Sequence, residues 1–117
     1  MSTSICERIA RLNDRCRHGC DRNARIVITR TCLAHLGGDG GPAREAVVQA
    51  ELLAMVRAYC FQPGDGPERD FGAFTFRDQR LFFKIDYYDL DLDFGSEDPA
   101  DASITRRVLT IMLAEDY

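Results

Sequence analysis

Seven carboxylates, Asp86, Asp89, Asp91, Asp93, Glu97, Asp98 and Asp101, fall within sixteen residues, interleaved with Tyr87, Tyr88, Leu90, Leu92 and Phe94. Hard oxygen ligands suit calcium, but a calcium loop needs glycine at its sixth position and Glu at its twelfth. Counting from Asp86, those positions hold Asp91 and Glu97, so half of the requirement is met. Spaced carboxylates also imitate the phosphate row of a nucleic acid. Asp86, Asp89, Asp91, Asp93, Glu97 and Asp98, with Tyr88 and Phe94 beside them, would then occupy a basic groove on another protein. A solvated acidic loop is the plain alternative to both.

A second constellation lies just upstream. Lys84 and Asp86 are two apart on a strand, roughly 7 Å between Cα atoms, with Tyr88 next in the same row. With the Glu68-Arg69-Asp70 turn they offer acid/base groups for a small enzyme, should burial shift their pKa values. An ion pair roofed by rings uses the same residues without chemistry. Cys16, His18 and Cys20, with Cys32 and His35 downstream, are zinc-ligand types, yet their spacing matches no common zinc pattern. Cys6 and Cys16 equally continue the apolar face of a helix, and five cysteines without an export signal are expected as reduced thiols. His18 and His35 stand in no nucleophile motif, so no hydrolase triad is readable. The glycine-rich run 37–41 before Pro42 lacks the Lys and Ser/Thr of a phosphate loop and reads as a connection.

The elements that must position these groups follow from periodicity. Ser4 and Glu7 form a capping box for a helix from Ser4 to Arg17, with Ile5, Ile9, Leu12 and Cys16 on one face. Arg25 to Arg30 reads as a short strand, being β-branched at Ile26, Val27, Ile28 and Thr29. A second helix spans Pro42 to Tyr59, with Val48, Leu52, Met55, Val56 and Tyr59 as its stripe. Asp70 to Phe76 and Leu81 to Tyr88 form a hairpin joined by residues 77–80. After an acidic loop from Asp89 to Asp101, Ser103 caps a last helix with Ile104, Val108, Ile111 and Met112 inward. Arg106 and Arg107 would then sit in its first turn, where the macrodipole disfavours cations, and Asp98 and Asp101 are the expected compensating partners. The order is helix, strand, helix, strand, strand, helix: an α+β fold, with a small, mostly antiparallel sheet covered by helices on one face.

The 117 residues, 45% hydrophobic and 29% charged, suit a single domain spanning residues 1–117. Such a chain needs neither disulfide nor metal to bury a core, so no cofactor is expected. No apolar run approaches a membrane span, and Met1 to Glu7 has no secretory pattern, so the chain is read as cytoplasmic. Residues 1–60 hold nine Arg and six acids, whereas residues 61–117 hold six basic residues and thirteen acids. The net charge is −4, and the acidic half would repel a nucleic-acid backbone, so direct nucleic-acid binding is not expected.

From Phe71 to Tyr117 the chain resembles a family of small alphaproteobacterial proteins known as domain of unknown function family 3768, often carried on mobile elements. The resemblance rests on Asp70-Phe71-Gly72-Ala73-Phe74, on Lys84-Ile85-Asp86-Tyr87-Tyr88-Asp89, and on Ser96 with Asp98-Pro99. It continues through Thr105-Arg106-Arg107-Val108-Leu109-Thr110-Ile111-Met112-Leu113-Ala114 to Tyr117, and more loosely covers Leu12-Asn13-Asp14 and Val27-Ile28-Thr29-Arg30. The family commonly has a His between the acids that here are Glu68 and Asp70, and this chain has Arg69. The resemblance implies no established activity. By analogy with small proteins of mobile elements, it implies a non-enzymatic inhibitor of a host nucleic-acid-targeting defence system, of anti-CRISPR or anti-restriction type. Such a protein would occlude a basic nucleic-acid-binding surface on its partner. A metal-binding protein or enzyme built on Lys84, Asp86 and Tyr88, and a dimeric accessory protein of a mobile element meeting its copy through Tyr and Phe, are the alternatives.

Overall fold

The structure, a computed structural model, describes residues 4–117. Met1 to Thr3, part of the opening read for a secretory pattern, lie outside the described residues. Helix α1 (Ile5–Arg17) starts where expected, because the Ser4 hydroxyl accepts the Glu7 amide at 3.0 Å. Strand β1 (Arg25–Ile28) follows, and then a helix that periodicity missed, α2 (Arg30–Gly37). The Thr29 hydroxyl caps it by accepting the Cys32 amide, so Thr29 and Arg30 leave the expected strand. Helix α3 (Gly41–Arg57) buries Val48, Leu52 and Val56, spaced four apart along one stripe.

Strands β2 (Phe71–Phe76) and β3 (Gln79–Tyr88) form the expected hairpin, with a tighter turn than residues 77–80. Arg77 and Asp78 both have positive φ (50° and 67°), and Phe76 pairs directly with Gln79. Two left-handed central residues match the twist of the flanking strands.

The closing element is a correction. Residues 106–113 are strand β4 (Arg106–Leu113), not a helix, and Ser103 caps nothing helical: it donates to the Asp101 carboxylate. The burial of Arg107, Leu109, Ile111 and Leu113, with Arg106, Val108 and Thr110 only half-buried, is a two-residue alternation. Met112 is buried as well, and its burial on the other face left Ile111 and Met112 legible as a helical pair. The four strands order as β1-β4-β3-β2, with β1 parallel to β4 and the rest antiparallel. The fold is α+β, with a mixed sheet.

All three helices pack on one face, over a core of Leu52, Phe83, Leu81, Leu109, Ile111 and Leu113 among others. Gly72 lies under this core, where a Cβ would collide with the Phe83 and Tyr59 rings. Among the described residues the opposite face carries no α-helix, only the short 3-10 turn Ala114–Asp116 at its end. There Phe71, Phe82 and Tyr117 form an aromatic triad with centroids 5.1 to 5.7 Å apart. Among the described residues no helix is long and apolar enough to cross a membrane.

Candidate acidic binding site

The acidic segment leaves the end of β3 and folds back on it. The Asp89 amide donates to Phe94 O (2.8 Å), and the Ser96 amide donates to Tyr87 O (3.0 Å). Asp89 and Tyr87 present these groups to the side from which Ile85 bonds Asp70, so 94–96 extends the sheet just beyond the start of β2. Leu92 takes positive φ (63°) at the tip, where the Asp89 carboxylate accepts the Asp93 amide. Further along, the Asp98 carboxylate accepts the Ala100 amide, and Asp101 accepts both the amide and the hydroxyl of Ser103. Those Ser103 bonds hold the Asp101 carboxyl below its ordinary range. Short polar side chains bonding amides two residues on are what fix irregular backbone without a sheet partner.

These bonds use backbone amides and a hydroxyl, not cations. Asp91, Asp93 and Glu97 are exposed, and their carboxylates make no hydrogen bond or ion pair among the described residues. Beside them Phe94 is 74% exposed, with Leu90 and Ile104 also on the surface. Asp89, Phe94, Gly95, Glu97 and Ile104 line one shallow cavity of about 360 Å³. Asp86 stands apart from this group, because β3 turns it onto the helix-free face, where it pairs with Lys84 at 3.0 Å. That bond raises the Lys84 pKa. Tyr88 shares that face by alternation.

The acid/base groups divide between the two faces of the sheet. Lys84, Asp86 and Tyr88 occupy the helix-free face, whereas Glu68 accepts the Tyr87 hydroxyl (3.0 Å) on the helix side. Asp70 is pushed up by burial and by the nearby Glu68 and Asp86 charges. The expected bonds from Asp98 and Asp101 to Arg106 and Arg107 are also absent. Both arginines are on a strand, so no helix dipole acts on them. Arg106 donates to Asn23 O, and Arg107 donates to Asn13 Oδ1 and Pro99 O. Cys16 is buried, and burial pushes its thiol up to about 11, while His18 and Cys20 are exposed. Among the described residues no three His, Cys, Asp or Glu side chains converge as a metal site would require.

A polar cluster that periodicity did not reveal holds the base of the acidic segment. Asn13 is fully buried in the apolar face of α1. Its amide nitrogen donates to Glu68 O (3.0 Å) and the Tyr87 hydroxyl (2.7 Å), and its oxygen accepts Arg107 Nε (2.7 Å). The Arg107 guanidinium, only 1% exposed, lies 5.0 Å from the Tyr87 ring centroid. Burial raises the Tyr87 pKa and lowers that of Arg107. Arg107 reaches Pro99 O while Thr105 donates to Asp98 O and shares a hydrogen bond with Ser96. The acidic segment is thereby tied at 96–99 to α1, β3 and β4. Beside the cluster, Arg69, at positive φ, clasps both oxygens of Asp14. The signal in sequence was Asn13 inside an apolar stripe.

A family model described as "Protein of unknown function (DUF3768)" matches residues 32–116, which includes the whole acidic segment and leaves out α1. No curated protein and no solved structure matches the chain.

Proposed function

We infer a binding role without catalysis for this chain, which belongs to the DUF3768 family of proteins of unknown function. The acidic segment docks on a basic protein surface and competes there with nucleic acid, as in an inhibitor of a nucleic-acid-targeting defence complex. The observation that carries this reading is that Asp91, Asp93 and Glu97 are free of the protein's own cations while standing beside an exposed Phe94 on a hydrogen-bonded frame. Uncompensated charge steers association, and a preordered apolar anchor lowers the entropy that docking must overcome.

The test is capture of partners from the native host by the full chain, followed by binding measured between about 50 and about 300 mM salt. Asp91→Lys with Asp93→Lys should weaken binding at least tenfold and flatten its salt dependence. Equal binding across that salt range defeats the proposal. A second reading, association of two copies through the helix-free face, is favoured by the aromatic triad of half-buried Phe71 and Phe82 with exposed Tyr117. Light scattering separates it: a monomeric mass at high concentration removes it.

A further inference from the structure

Arg8, Arg11 and Arg15 are spaced three and four apart on α1, so they stack along one exposed side. Arg8 and Arg15 lie about 10.5 Å apart along the axis by helical rise. Asp14 of the same helix is engaged by Arg69 and Arg17, and Glu7 lies 3.4 Å from Arg11 and 3.6 Å from Arg69. Across from this arginine row runs the 100–103 segment. Three concavities of about 290, 330 and 300 Å³ lie between them and share walls: Leu12 and Arg15 line two, and Asn23 and Ala102 line two. They form one groove from Arg8 past Arg22 to Arg106, ending at Leu90. Arg106 is held in place by its Nε bond to Asn23 O (2.8 Å) and keeps its two terminal nitrogens free. Asp21 is the one carboxylate among the lining residues.

We propose that this groove binds the phosphodiester backbone of a single-stranded nucleic acid. Guanidinium groups pair bidentately with phosphate oxygens, and five of them in file match a row of anions rather than a lone one. The lining contains no aromatic ring, so bases find no stacking platform, and binding is indifferent to sequence. The apolar residues of the lining are Leu12, Leu90, Ala100 and Ala102, with the two leucines in different concavities, so an acidic peptide meets no single pocket for a large anchoring side chain. A duplex is disfavoured because Leu90, at the groove's end, is flanked in the chain by Asp89 and Asp91, whose charges oppose the second row of phosphates a duplex would bring. Averaged over the chain, a charge of −4 argues against nucleic acid. The fold instead gathers Arg106 from the acidic half beside four arginines of the basic half.

Fluorescence anisotropy of the full chain with labelled single-stranded DNA and RNA of roughly 12 nucleotides tests this. Contacts to about four phosphates predict a log–log salt slope near −3. Arg8→Glu with Arg15→Glu should lower affinity more than tenfold and make the slope shallower, with an unchanged melting midpoint because both side chains are exposed. Arg22→Glu, outside the helix, should give a smaller loss in the same direction. Undiminished binding by these variants, no salt-dependent binding by the parent, or preference for a poly-glutamate peptide overturns the proposal. Asp91→Lys with Asp93→Lys should hold or raise oligonucleotide affinity, so failure here is distinct from failure of the acidic segment as a docking site.

Discussion

The cluster around Asn13 and the segment from Asp89 to Asp98 are both built from polar side chains, and they use them in opposite ways. Inside, Asn13 spends all three of its bonds on Glu68, Tyr87 and Arg107, and Arg107 is satisfied by carbonyl oxygens and a ring without an ion pair. Outside, Asp89 and Asp98 fix backbone while the carboxylates of Asp91, Asp93 and Glu97 have no partner. A buried polar atom left without a partner costs its full desolvation, whereas an exposed one is solvated by water. The first region therefore carries stability and the second is free to carry recognition. The link between them is the tie from Arg107 and Thr105 to Pro99 O and Asp98 O.

That division is most severely tested by Arg107→Ala, which should cost about 3 kcal/mol by stranding the Asn13 oxygen and emptying a packed site. Urea unfolding reads the loss as a lower midpoint, and exchange of the Ser96 and Ala100 amides should quicken as the acidic segment loosens. A stability change within 0.5 kcal/mol, by the order of a typical surface substitution, would show the cluster to be dispensable. Next in size is Asn13→Leu, expected to cost about 2 kcal/mol because Arg107 Nε and Glu68 O both lose their partner.

Two carboxyls at the margin of the cluster sharpen the contrast through pH. For Asp14, burial raises the pKa but the Arg69 and Arg17 bonds outweigh it, so the folded value lies below the unfolded one. Its contribution is present above the unfolded pKa and is lost as pH falls through the folded pKa. For Asp70, burial, then Glu68 and Asp86, raise the folded value, so its contribution is present below the unfolded pKa and lost as pH rises through the folded one. Asp14→Asn should therefore destabilise by about 1 to 2 kcal/mol at neutral pH, with the loss shrinking as pH falls below about 4. Asp70→Asn should stabilise slightly at neutral pH, and melting curves across that range check both signs. The smallest effect on stability belongs to Asp91→Lys with Asp93→Lys, within about 0.5 kcal/mol, although it is the change expected to weaken partner binding most.

Much of the fold was legible. The Ser4 cap, the α3 stripe and the β2–β3 hairpin rest on local spacing, and the structure places them within a few residues of the expected bounds. Strand β4 was not, because Val108, Ile111 and Met112 satisfy a helical period as well as a strand one when both sheet faces are partly covered. Helix α2 is eight residues long and announces itself only through Thr29. For the candidate site, the acidic run was evident as composition, but which carboxylates stay free was not. Asp86 is paired across its strand to Lys84, and Asp89 is used by its own loop.

Sequence alone determined the α+β class, the hairpin and the placing of a dense negative charge before the last element, since each depends on neighbours within a turn or a pleat. Tertiary structure decided where Arg106 and Arg107 went, one into a groove with four arginines from the other half and one into the interior beside Asn13. Their hydrogen-bond partners, Asn23 and Asn13, are more than eighty residues away in the chain, and the pairing of β1 with β4 and the packing of α1 against β4 bring them within reach. Periodicity reports which face a side chain takes, and it carries no information about which distant side chain shares that face.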